Sequence, residues 1–97
     1  MVLLLWLSCN KDVKPSTIDT QKDRKTEKGR FGIEFGKYLR KIREKRGISQ
    51  ENLSLNAGYY RTYVNKIEQG YYSPSLHTVW RLAHVLGLTL SDFLKGF

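Results

Sequence analysis

The chain has 97 residues, with 17 Lys or Arg against nine Asp or Glu, a formal net charge of +8 and a pI near 9.8. That length supports one small domain rather than two, and the charge points to a polyanion, either nucleic acid or an acidic membrane surface. A single cysteine, Cys9, excludes an internal disulfide and a cysteine-rich zinc site and fits a reducing cytoplasm, while no run approaches the ~18 apolar residues of a membrane span.

The chain opens on Met1-Val-Leu-Leu-Leu-Trp-Leu7, followed by Ser8-Cys9. An apolar run before a cysteine suggests a lipoprotein leader, but the run is short and has no basic flank before it, so a frayed extension or mis-assigned start is the better reading. Residues 10–30 are polar and charged, with Pro15 and Gly29 as breakers. They cannot bury enough apolar surface to offset their ordering entropy, so residues 1–30 are expected to be an apolar N-terminus and a disordered basic arm. Arg24, Lys25, Lys28 and Arg30 are candidates for phosphate contact, against the plainer reading of a solvated linker.

From residue 31 to 97 the pattern is helical. Residues 31–97 carry ten positive and five negative side chains, so this part is basic in its own right. Phe35, Leu39 and Ile42 recur at spacings of four and three, which predicts a helix over about 32–46 ended by Gly47. Ser49 caps a second helix, about 50–57, with Leu53 and Ala57 inward, and Gly58 ends it with a positive φ. A third helix, about 61–69, faces Val64 and Ile67 inward and stops at Gly70. Pro74 makes the following segment a loop. Ser75 caps a fourth helix, about 76–86, with Leu76, Val79, Leu82, Ala83 and Leu86 inward. Thr89 caps a fifth, about 90–96, with Phe93 and Leu94 inward.

The second and third helices carry the functional signal. A helix-turn-helix needs a small residue where the helices approach (Ser54), a glycine four residues later (Gly58) and branched aliphatics to anchor the second helix (Val64 and Ile67). The ordered set is far more specific than any member of it. The motifs Leu39-Arg40-x-x-Arg43, Gly47-Ile48-Ser49-Gln50-Glu51-x-Leu53, Gly58, Val64-x-x-Ile67-Glu68-x-Gly70 and Pro74-Ser75-Leu76, with Leu82-Ala83 and Leu86-Gly87, resemble the Cro and phage-repressor type helix-turn-helix proteins, the XRE family. The resemblance implies an all-α, compact five-helix repressor-like domain that binds double-stranded DNA, usually as a homodimer. Arg61-Thr62-Tyr63 and Ile67-Glu68-Gln69-Gly70 further resemble controller proteins of restriction–modification operons. Two positions depart from the pattern: Ser54 stands where Ala is usual, and Tyr60 where the third helix usually has a Ser, Thr or Asp cap.

Within that frame Arg61 is the candidate for bidentate contact to guanine, Thr62 for a thymine methyl or phosphate, and Asn65 for adenine, directly or through water. Lys66 is a candidate phosphate contact. Gln50 resembles the family glutamine that meets the phosphate backbone and braces a recognition-helix side chain; Ser49 is foremost a cap, and Tyr63 and Tyr72 are candidates for phosphate bonds. Arg43 and Glu68 resemble a family ion pair joining the first and third helices. Trp80, Leu90 and Phe97 are left over once the inward faces are filled and form a candidate dimer interface; Trp80 alternatively caps the monomer core.

Enzymatic chemistry has no carrier. His77 and His84 are seven apart, about 10 Å along a helix, too far to share a metal, and no phosphate-cradling loop or nucleophile elbow appears. No cofactor or metal is expected. The leading function is a cytoplasmic, sequence-specific transcriptional regulator that places helix 61–69 in the major groove of an inverted-repeat operator. The rivals are the antitoxin of a toxin–antitoxin pair and a membrane-associated binding protein held through residues 1–9.

Overall fold

The computed structural model describes residues 21–97 as five helices, α1 Gln21–Arg46, α2 Gln50–Asn56, α3 Tyr63–Glu68, α4 Leu76–Val85 and α5 Leu90–Leu94. No strand occurs among the described residues. Residues 1–20, including Cys9, lie outside them. The core is Phe35 and Leu39 of α1, Leu53 and Ala57 of α2, Val64 and Ile67 of α3, Val79, Leu82, Ala83 and Leu86 on and just after α4, and Phe93 of α5. These are positions that helical periodicity selects; Ile42 and Leu94, selected with them, are half-buried against the core, and one selected residue is displaced from it. Leu76 is 66% exposed, because the first turn of α4 extends beyond the edge of the core. Thr78 is buried there instead, with its hydroxyl accepting from Tyr59 Oη at 3.1 Å.

Local chemistry sets the helix ends. Ser49, Ser75 and Thr89 each adopt extended backbone and accept a hydrogen bond from the N–H three residues on, which satisfies one of the orphan donors of a helix start. Gly58 turns the chain after α2 with φ +87°, a conformation that costs a residue with a Cβ dearly.

α1 departs most from expectation. It begins at Gln21 and runs without a break through residue 30, where an irregular arm was expected. Residues 24–30 are exposed, so burial does not order them. Lys, Arg, Glu and Gln are good helix formers, and lengthening an existing helix requires no new nucleus. Phe31 anchors the junction, stacking on Phe35 at 5.9 Å and meeting Phe97 edge-on at 5.6 Å.

α1 crosses α3 at close range through Gly36. A Cβ there would fall against the carbonyl oxygens of Ile67 and Glu68. Those oxygens belong to backbone and cannot swing away. Gly36→Ala is therefore expected to destabilise the fold by about 1–3 kcal/mol in urea unfolding. Gly29→Ala, with nothing within 4 Å of its Cβ, is expected to raise helix content by circular dichroism without that loss, since Ala favours a helix interior by about 1 kcal/mol over Gly. Equal stability of the two variants would contradict the crossing.

Candidate nucleic-acid interface

α1, α2 and α3 meet at one carboxylate. Arg43 Nε donates to Glu68 Oε2 at 2.6 Å and Arg43 Nη2 to Glu68 Oε1 at 3.1 Å. The third guanidinium nitrogen, Nη1, donates to the Ile48 carbonyl at 2.9 Å, in the turn between α1 and α2. Gln50 Nε2, at the start of α2, donates to Glu68 Oε1 at 2.9 Å. The two charged side chains are 11% and 3% exposed. A pair so nearly desolvated is stable only when hydrogen bonds satisfy its remaining lone pairs and protons, and here they do.

The same network reaches a candidate reading residue. Asn65 Nδ2 donates to Gln50 Oε1 at 3.1 Å. Gln50 thus joins Glu68 to Asn65, and Asn65 keeps its Oδ1 and a second N–H for an outside partner. With Asn65 held this way, its amide edge is presented in a fixed orientation, as bidentate contact to adenine requires.

α3 starts later than its sequence suggests. It begins at Tyr63 rather than near 61, and its N-cap is Thr62, not Tyr60. Thr62 makes no side-chain cap bond. The cap comes instead from α2: Ser54 Oγ accepts from Val64 N–H at 2.9 Å while donating to the Gln50 carbonyl at 2.8 Å. Tyr63 N–H bonds the Tyr60 carbonyl at 3.0 Å, a tight first turn. The fully buried Ser54 is thus more than a small residue at a helix contact; its hydroxyl fastens α2 to the start of α3.

Arg61 and Thr62 are exposed on the turn that leads into α3, and Asn65 and Lys66 are half-buried beside them. Lys66 Nζ lies 5.3 Å from the centroid of the Tyr71 ring, where the ring's negative face attracts it. Ser49 is exposed and occupied as the α2 cap. Tyr63 sits within a cluster, 4.3 Å from Tyr59, 5.4 Å from Tyr60 and 5.7 Å from Tyr72, centroid to centroid. Tyr60 Oη donates to Tyr72 Oη at 2.9 Å. That bond holds the proton on Tyr60, whose pKa is pushed up to about 12, and it leaves the Tyr72 O–H to donate elsewhere.

Two of the three candidate interface residues come together. Trp80 is 51% exposed, sandwiched between His77 at 6.2 Å and His84 at 5.8 Å, and it lines an open groove with His84, Leu88 and Leu90. Leu90 is half-buried against the core rather than left over. Phe97 packs instead against Phe31, Phe35 and Tyr38. Its place at the chain's last position hid that partnership, which joins α1 to the segment after α5. Arg81 is unmarked in the sequence, yet its Nε donates to the Ala57 carbonyl at 2.7 Å and its guanidinium lies over Tyr59, tying α4 to the turn of the motif. Nothing local marks such a bond, which spans 24 residues. Among the described residues no three His, Cys, Asp or Glu side chains gather as a metal site, and no helix is long and apolar enough to cross a membrane.

The five described helices, with an exposed turn and α3 braced by α2, define a helix-turn-helix protein. The helix-turn-helix family profile matches residues 39–93, and the chain belongs to that XRE-type family of transcriptional regulators. It is similar to control protein C.MunI of Mycoplasma sp, 39% identical over 64 residues that cover 65% of this chain and 86% of that protein. Control protein C.BamHI of Bacillus amyloliquefaciens is 36% identical over 61 residues, 62% of this chain and 75% of that one. The transcriptional regulator PuuR of Escherichia coli is 37% identical over 64 residues, 66% of this chain but 35% of its own length, so the match spans about a third of that relative. Among solved structures, the restriction–modification controller protein C.AhdI of Aeromonas hydrophila superposes with a TM-score of 0.63 at 32% identity, over 68% of this chain and 96% of that one.

Ser54→Ala leaves the Val64 N–H without its acceptor in a buried place. The expected cost is about 1–3 kcal/mol, with faster amide exchange at Val64 than in the parent. Unchanged stability and exchange would show that Ser54 acts only through its size.

Proposed function

We propose that this protein is a sequence-specific transcriptional regulator that binds an inverted-repeat operator as a homodimer, with residues 61–69 in the major groove. The observation that carries the reading is the presentation of α3: Arg61 and Thr62 exposed at its leading edge, Asn65 held by Gln50, and the whole element fixed by Glu68 and Ser54. Readout needs side chains at a fixed angle, whereas affinity comes mainly from phosphate neutralisation. Arg61 reads guanine and Asn65 adenine. Thr62 meets a thymine methyl or a phosphate. Lys66, Tyr63, Tyr72, Ser49 and Gln50 serve the phosphate backbone.

The homodimer forms through the Trp80–Leu90 groove, where an exposed aromatic stands beside half-buried aliphatics. Two-fold symmetry then sets half-sites about 10 base pairs apart, or a multiple. The domain proper is residues 31–97. The similarity to two control proteins over three quarters or more of their length supports a regulator built around this domain.

Sequence selection from random duplexes tests the reading. Enrichment of an inverted repeat supports it; equal affinity for scrambled DNA at moderate salt overturns it. On the selected site Arg61→Ala is expected to relax preference at one base pair by about 1–3 kcal/mol. Lys66→Ala is expected to weaken binding to all sequences alike and to reduce the salt slope by about 1. Titrations at several salt concentrations on matched and scrambled duplexes check both.

A further inference from the structure

The N-terminal turns of α1 lie along the same side of the molecule as the tyrosine cluster. At Gly32 the helix rests on the loop after α3, where a Cβ would lie 3.3 Å from the Gly70 carbonyl oxygen and 3.4 Å from that of Tyr72. Residues four and eight positions earlier share that face of a helix. They are Lys28 and Arg24. Lys28 lines an open groove of about 580 Å³ with Tyr60, Tyr63 and Tyr72. Arg24 and Lys28 line a second, of about 290 Å³, together with Glu27, Phe31 and Ser73. The first groove is bounded by Tyr60, the residue next to Arg61, so Lys28 borders the surface that presents α3, and Arg24 continues from Lys28 along the second groove.

We infer that Arg24 and Lys28 form a basic ridge that binds the DNA phosphate backbone beyond the base pairs read by α3. The inference rests on the DNA-binding reading above and adds a second, sequence-blind contact to it. Several features favour this occupant. α1 meets the loop after α3 at Gly32, and residues 24–30, up to about two turns further out, are exposed. Arg24 stands about 12 Å beyond Gly32 along the helix axis, so a phosphate met there is a separate contact from those at the loop. Tyr72 lines the same groove as Lys28, and because its hydroxyl accepts from Tyr60 its own O–H is left to add a further donor there. Glu27 is the one carboxylate lining these two grooves, and it leaves the ridge net positive.

The test uses the full chain on two duplexes that carry the selected site, one of about 30 base pairs and one trimmed to about 20, three and two helical turns. The variant is Arg24→Gln/Lys28→Gln; the control is Lys37→Gln/Lys41→Gln, equal in charge lost and exposed on other faces of α1. Each lost phosphate contact lowers the slope of log affinity against log salt by about 0.9. The expected result is a slope lower by nearly 2 per protomer for the ridge variant on the long duplex, no difference from the parent on the short one, and an unchanged preference for matched over scrambled sequence. A parent-like slope on the long duplex, with specific binding intact, overturns the ridge alone. An equal loss in the control variant also overturns it, because only net charge is then at work. Unchanged DNA binding with lost retention on phosphatidylserine vesicles assigns the ridge to a membrane and overturns it as well. A parent chain that prefers no DNA sequence overturns the reading on which the ridge rests.

Discussion

The Glu68 carboxylate, 3% exposed, accepts from Arg43 of α1 and from Gln50 of α2 while standing on α3. Burying a carboxylate is costly, and only a complete set of donors makes it tolerable. The three helices are therefore fixed in one relation, because sliding α1 past α3 strands a charge and sliding α2 takes a donor from a buried carboxylate. Removing either partner of such a pair costs more than the pair contributes, since the remaining charge stays buried. The hub thus acts as a specificity device for the arrangement rather than as a large source of stability.

This constraint matters because α3 has six residues. An isolated helix of that length does not form in water, since the nucleation cost exceeds what so few hydrogen bonds return. Its order comes from its neighbours: Val64 and Ile67 in the core, Ser54 capping its start, Glu68 pinned near its end. Gly36 lets α1 press against its last carbonyls. Every one of these contacts lies on the inner side, so Arg61, Thr62 and the edge of Asn65 are left to face outward. Their rigidity is supplied by a frame that stands behind them.

Much of this was legible in the sequence because the governing physics is local. Ser49, Ser75 and Thr89 bond within three residues of themselves, and the apolar stripes follow from helical period alone. What escaped depends on partners far along the chain. Gly36 reads as a weak point in a helix until α3 is laid across it, although its pairing with Gly32 four residues earlier is the kind of small-residue stripe that permits close approach. Ser54 reads as a size substitute until Thr62 proves to make no cap bond. Arg81 and Phe97 reach across 24 and more than 60 residues. The start of α1 escapes for another reason: low hydropathy reads as disorder, whereas a charged segment can lengthen a helix that the domain has already nucleated. The base-reading roles proposed for Arg61, Thr62 and Asn65 rest on the resemblance and the fold frame together; periodicity alone does not single them out.

Central to this picture is that the fold's internal network orients the reading side chains, and Gln50 is the link between the two. The most direct measurement is sequence selection with Gln50→Ala beside the parent, on chains of equal helix content. The expected result is a binding motif that loses its preference at one base pair per half-site, the one facing Asn65, and keeps the position set by Arg61. An unchanged motif would mean that Asn65 needs no brace, and a uniform loss at every position would mean that Gln50 serves the phosphate backbone alone; either contradicts the link.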